Sequence, residues 1–404
     1  MNTKYYVLLG AFSIAGFFTP AQAQINEAAL QRALSGALAT TEASGAAAAI
    51  VRRGEVLWSG QAGVIAPGSA TPVGPDTLFA YGSVGKMATA TMTLHLVEQG
   101  RIGLDTSIAH YLPAGIPGAD TITVRQLLNH TSGYGEVLAN PSVVDRLLDM
   151  DHPWTRAELI AEVVSPTTAP GVAYEYSNTN YILLGEVIER ASGKSFAEVY
   201  QETIAAPLGL AHAFVTPRPR EEFAQGVAGM GADAVNYFDL TSGVPSALYG
   251  GIFADSPVAG NAADGARFLD GLLHGELLQA ETLAAMQAFD PVSGYGLGLY
   301  GGEINGRTMI GHNGSWGGFT AFAFYDQESD LTFMTVANSE ADYSAGVIFG
   351  AVTAAANSPA AAVPEPTTTA LAAGALLSLL CLLRHRGRDR HNTTRKSVPA
   401  RLTT

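Results

Sequence analysis

"GSVGKMATATMTLHLVEQG", residues 82–100, opens with a glycine-flanked serine and runs on as an apolar helix with one lysine in its first turn. Ser83 and Lys86 are three apart, so on a helix their side chains share a face. A cation is unwelcome there, because the unpaired N–H groups of a helix N-terminus carry partial positive charge. Lysine is also scarce: the 404-residue chain holds only Lys4, Lys86, Lys194 and Lys396. Helix charge and apolar neighbours both favour the neutral amine. A neutral amine within reach of a hydroxyl is a general base beside a nucleophile. The backbone N–H of Ser83, at the helix start, is placed to hold an oxyanion. Ser-x-x-Lys is weak by itself, since 24 serines and four lysines in this length produce it by chance about a quarter of the time.

Two later segments add to it. "YEYSNTNY" (174–181) contains Tyr176-Ser177-Asn178, and "IGHNGSWGGF" (310–319) contains His312-Asn313-Gly314. In this order and at this spacing, the three segments resemble the motifs of the penicillin-recognising serine hydrolases. The branch is that of class C β-lactamases, Streptomyces-type D-Ala-D-Ala carboxypeptidases, D-aminopeptidases and related esterases. Flanking text agrees: "LLNHTSG" (127–133), "YSNTNYILLGEVIERASGKSF" (176–196) and "GYGLGLY" (294–300). The resemblance spans about residues 26–356. The rival Gly-x-Ser-x-Gly elbow is a poor match, because Tyr81 occupies its first glycine position.

The resemblance implies an acyl-enzyme formed on Ser83, with Lys86 as base. Tyr176 would shuttle the proton to the leaving group, as a phenolate or as a phenol bonded to Lys86. Asn178 would hydrogen-bond a substrate amide, and the N–H groups of Ser83 and Ser315 would form the oxyanion hole. Gly314 would let the strand edge approach the substrate, while His312 would polarise the site and help orient Tyr176. Class C β-lactamases generally carry Lys-Thr-Gly where this chain has His-Asn-Gly. A fixed cation is then replaced by a group expected to titrate near neutrality. That ranks a D-Ala-D-Ala carboxypeptidase, D-peptidase or esterase role above a class C-type β-lactamase. A noncatalytic penicillin- or peptidoglycan-binding module is the rival from another class. The substrate is a small molecule or peptide: a D-amino-acid peptide, an ester or a β-lactam.

The expected fold is α+β, of the β-lactamase/transpeptidase type. Residues 26–40 read as an amphipathic helix, and "AAAAIVRRGEVLWSGQAGV" reads as a hairpin turning at Arg52-Arg53-Gly54. "GRTMIGHNGSWGGFTAFAFYDQESDLTFMTVAN" supplies three strands, followed by a helix from about Ser344 to Ala356. Strands at both ends with helices between them imply one antiparallel sheet flanked by helices, with a helical lobe inserted. His95 reads as a structural residue of an apolar helix, and His130 as a turn-stabilising residue more than a catalyst. Trp316 reads equally as pocket wall or core. No His, Asp or Glu cluster has metal-ligand spacing, so no metal or cofactor is implied.

Both termini carry addresses. Residues 1–23 read as a signal peptide, with an apolar stretch from Tyr5 to Phe18 and small residues at Ala21-Gln22-Ala23. After the hydrolase domain (24–357) comes a proline-rich linker (358–366), an apolar run (367–383) and a basic tail (384–404). The run is 17 residues long, at the lower limit for crossing a bilayer, and the basic residues after it fit a cytoplasmic stop. This end resembles the PEP-CTERM sorting tail of Gram-negative bacteria, which a dedicated envelope protease processes. The expected location is therefore the periplasm or cell surface, anchored by the C-terminal segment. Cys381, the only cysteine, lies in that run, so the body has no disulfide. Residues 364–404 hold seven basic and two acidic residues, leaving 34 acidic against 14 basic residues once Lys4 is set aside. So acidic a body argues against nucleic acid as partner.

Overall fold

The computed structural model describes residues 25–140, 143, 155–215, 254–255 and 258–358, with the backbone of strands 226–228 and 235–238. The segments read as leader (1–23), anchor (367–383) and basic tail (384–404) lie outside the described residues, as do the linker beyond Ser358 and most of 230–260.

Six antiparallel strands form the sheet: β1 (Gly45–Arg52), β2 (Glu55–Gly63), β3 (Tyr300–Ile304), β4 (Arg307–Trp316), β5 (Phe319–Asp326) and β6 (Leu331–Ala337). Their order is β2-β1-β6-β5-β4-β3. The N-terminal hairpin thus joins the C-terminal strands through β1 and β6, from Ala46 opposite Ala337 to Val51 opposite Thr332. Helices lie on both faces, so the middle strand must be apolar on both sides. The period of two divides β1 accordingly. Ala46, Ala48 and Ile50 join a cluster with Leu30, Leu34 and Leu38 of α1 (Glu27–Leu38) and Ile348, Phe349 and Val352 of α5 (Ser344–Asn357). Ala47, Ala49 and Val51 join the larger core with Ala266 and Leu269 of α4 (Ala262–Leu273). Alanine suits a strand that helices cover on both faces. Burying each of the α1 leucines stabilises by roughly 2 kcal/mol.

Between β2 and β3 the chain leaves the sheet for the helical lobe. Its axis is α2 (Lys86–Glu98), where every residue from Lys86 to Leu94 is buried. Against α2 packs α3 (Asn178–Ser192). A small sheet of Phe79–Ala80, Val258–Gly260 and Phe214–Val215 ties the start of the lobe to its end. The turn before α2, the N-terminus of α3 and the C-terminal end of β4 meet where the lobe joins the large sheet.

Candidate active site

Ser83 stands in a tight 3-10 turn, Gly82–Gly85, that leads directly into α2. The turn lies hard against β4. A Cβ on Gly314 would fall 2.1 Å from the Tyr81 carbonyl oxygen and 2.7 Å from the Ser83 nitrogen. A Cβ on Gly82, whose φ is +55°, would fall 2.8 Å from the Ser315 nitrogen. Only glycine allows this approach at either position. Gly314, expected to clear room for a substrate, turns its bare side to the nucleophile turn. The result brings the Ser83 and Ser315 amides into one corner, the pairing an oxyanion hole requires.

Lys86 is fully buried at the first position of α2. Its Nζ lies 3.0 Å from Ser83 Oγ, 2.7 Å from Asn178 Oδ1 and 2.9 Å from the Asp255 carbonyl oxygen. An ammonium has three hydrogens, and here there are three acceptors. The Asp255 carboxylate is farther, at 3.9 Å, so the backbone oxygen makes the direct contact. Burial pulls the Lys86 pKa down to about 8, while the charges of Asp255 and Glu136 oppose the shift. Desolvation is thus the largest cause of the depression read from sequence. Two of the acceptors hold hydrogens that a neutral amine retains. The third direction, toward Ser83, is where the lone pair falls on deprotonation.

Tyr176 closes the triangle. Its hydroxyl is hydrogen-bonded to the Ser83 side chain, and burial raises its pKa, so the ring stays a phenol. Of the two forms the sequence leaves open, burial favours the phenol. Lys86 Nζ lies 5.2 Å from the centre of the Tyr176 ring. Asn178 Oδ1 is held by Lys86, so what Asn178 can offer a substrate is its Nδ2 donors.

The segment 130–136 seats this end of α3. Ser177, the N-cap, makes no side-chain capping bond. Instead Glu136 Oε2 accepts the Asn178 N–H at 2.8 Å, a carboxylate at the positive end of the helix. The Gly135 carbonyl accepts from Ser177 Oγ at 3.0 Å and from Thr179 Oγ1 at 2.7 Å. His130 is fully buried, with φ of +57°. Its Nδ1 accepts the Ser177 N–H at 3.1 Å and lies 3.1 Å from Asn180 Nδ2. Its ring stacks on Tyr176, with centroids 4.2 Å apart. The turn role assigned to His130 stands, and the turn belongs to the site. Sequence reasoning missed that location; the signal available was the run of short polar residues in "HTSGYGE".

His312 is also buried, and burial pushes its pKa down to about 3. It is a neutral ring at physiological pH, contrary to the expectation that it titrates near neutrality. Nδ1 faces the Asn313 carbonyl and must donate to it, which leaves Nε2 to accept from Tyr295 Oη at 3.2 Å. The rings of His312 and Tyr176 are 6.2 Å apart, a packing contact. Ser315 Oγ donates to Glu340 Oε1 at 2.9 Å, a partner sequence reasoning did not find. Trp316 packs against the core, and His95 sits half-buried on α2.

The profile of the Beta-lactamase family matches residues 30–354. The chain is similar to Esterase EstB of Burkholderia gladioli, 35% identical over 45% of this chain and 49% of that protein. It is 27% identical to a D-aminopeptidase of Cereibacter sphaeroides, over 78% of this chain and 60% of that protein. The structure of a D-stereospecific amidohydrolase from Streptomyces superposes with a TM-score of 0.69 at 28% identity, covering 82% of this chain and 99% of that one. The chain spans about half to two thirds of the length of the curated relatives it matches.

Proposed function

The chain belongs to the Beta-lactamase family of serine hydrolases, and from that premise we propose that it is an exported enzyme that cleaves an amide or ester through an acyl-enzyme on Ser83. One observation carries the reading: Lys86 Nζ lies 3.0 Å from Ser83 Oγ, with acceptors at Asn178 and Asp255 for its other hydrogens. The neutral amine takes the Ser83 proton as Oγ attacks the substrate carbonyl. The oxyanion that forms is held by the Ser83 and Ser315 N–H groups. As the carbonyl collapses, the C–N or C–O bond breaks, and Tyr176 hands a proton to the leaving group while drawing on Lys86. Water then attacks the ester carbonyl, its proton returns by the same route, and Ser83 leaves with its hydrogen restored. With its pKa pulled down to about 8 by burial, the neutral working form of Lys86 is far more populated near neutral pH than that of an ordinary lysine.

The EstB and D-aminopeptidase relatives favour an ester or D-peptide substrate over a β-lactam. Segment 1–23 would export the chain, and segment 367–383 would hold it at the envelope membrane until a sorting protease acted. A fluorophosphonate probe and a fluorescent penicillin test the chemistry. Stoichiometric fluorophosphonate labelling of the wild type and none of Ser83→Ala is the expected outcome, with slower labelling by the penicillin, whose carboxylate flanks its lactam bond. Failure of both probes to label the wild type would favour a noncatalytic module, and fast nitrocefin turnover would restore the class C-type reading.

A further inference from the structure

Ser315 is the residue beyond Gly314 on the strand edge beside the nucleophile, and its hydroxyl is committed to Glu340. Glu340 follows the buried pair Asn338 and Ser339 just after β6. The Gly318 backbone N–H donates to it as well. Burial pushes the Glu340 pKa up, and these two donors pull it back by stabilising the charged form. The carboxylates whose charges reach Lys86 and Tyr176 are Asp255 and Glu136, so the wider surroundings have the same sign. The cation at this corner, Lys86, is fully buried behind Ser83 with each hydrogen facing an acceptor. An acyl donor carrying an anion next to its scissile bond would thus meet a carboxylate where it passes Ser315.

We propose that Glu340 is a specificity-determining residue that sets this site against acyl donors with a free carboxylate beside the scissile bond. The substrate class is then neutral or cationic on that side: amides, esters and peptides whose leaving group carries no adjacent carboxylate. This rests on the acyl-enzyme reading and narrows it. The charge works through repulsion, so it acts on selection between substrates, and salt weakens it.

The test compares two thioesters of N-acetyl-D-alanine, one of mercaptoacetamide (the neutral ester) and one of mercaptoacetic acid (the carboxylated ester), on the full chain in detergent, with the released thiol read by a chromogenic disulfide. The readout is the ratio of their kcat/KM values, corrected for uncatalysed hydrolysis. In the wild type the neutral ester is favoured by about tenfold, and Glu340→Gln narrows the ratio to about twofold. Glutamine keeps an acceptor for Ser315 Oγ, so the change is one of charge. Raising sodium chloride from low to high concentration narrows the wild-type ratio too, a reading that needs no variant. A ratio unmoved by both Glu340→Gln and salt, or a wild type that favours the carboxylated ester, would overturn the assignment. Absence of turnover for both esters, with no fluorophosphonate labelling of Ser83, would instead remove the acyl-enzyme reading and this assignment with it.

Discussion

The corner at Lys86 and the rim at Ser315 both shelter a charge, and they shelter it differently. Lys86 is wholly enclosed, and three acceptors within 3.0 Å match its three hydrogens. Glu340 is half-buried, tied to one hydroxyl and one backbone amide. A buried cation so closely matched has one productive change available: loss of the proton toward Ser83. A half-buried carboxylate keeps its charge and projects a field toward whatever lies alongside. The first arrangement does chemistry; the second chooses what receives it. Removing a partner from the first strands a buried charge, which costs far more than disturbing the second.

Two neighbouring residues on β4 separate these roles, and the larger effect is at Gly314. Gly314→Ala would set a methyl 2.1 Å from the Tyr81 carbonyl and 2.7 Å from the Ser83 nitrogen, so strand and turn must part. Loss of the aligned amides is expected to lower kcat by about 10²–10³-fold, typical of an oxyanion donor moved out of place. Steady-state kinetics on a protein shown folded by circular dichroism checks it. Near wild-type kcat would mean the two amides do not act as a pair. The smaller effect is at Ser315→Ala, which keeps the backbone N–H and loses only the hydroxyl bond to Glu340. A change of about fivefold or less in kcat for a neutral ester is expected, since a net hydrogen bond at a half-exposed site is worth about 0.5–1 kcal/mol. A hundredfold loss there would place the side chain in the chemistry and erase the contrast.

Much of this was legible in the sequence, for particular reasons. The sheet was legible because apolar strand-like runs broken by turns at Arg52-Arg53-Gly54 and at Asp326 to Asp330 stand at both ends of the body, and β1 and β6 do pair across that distance. Ser83, Lys86, Tyr176, Asn178, His312, Gly314 and Ser315 lie on segments the structure brings together, because their motifs each occupy one local element. What escaped reading depends on contacts between distant segments. Asp255 offers Lys86 a backbone oxygen, which any residue at that position has and no side-chain pattern reveals. Glu136 caps α3 from 42 positions earlier. His312 was expected to titrate near neutrality because a histidine's ordinary pKa is near 6.5; its enclosure, visible only in three dimensions, removes that behaviour. His130 was read from its turn alone, and its stacking on Tyr176 follows from how α3 is seated.

The pH dependence of the acylation rate constant, measured by single-turnover release of nitrophenol, tests the role of Lys86 most directly. Neutral lysine is the working form, so the rate should rise with pH and level off above a midpoint near 8. Lys86→Met should lose about 10²–10⁴-fold and flatten the curve. A midpoint near 6.5, the ordinary range of histidine, or wild-type acylation by Lys86→Met, would contradict the account.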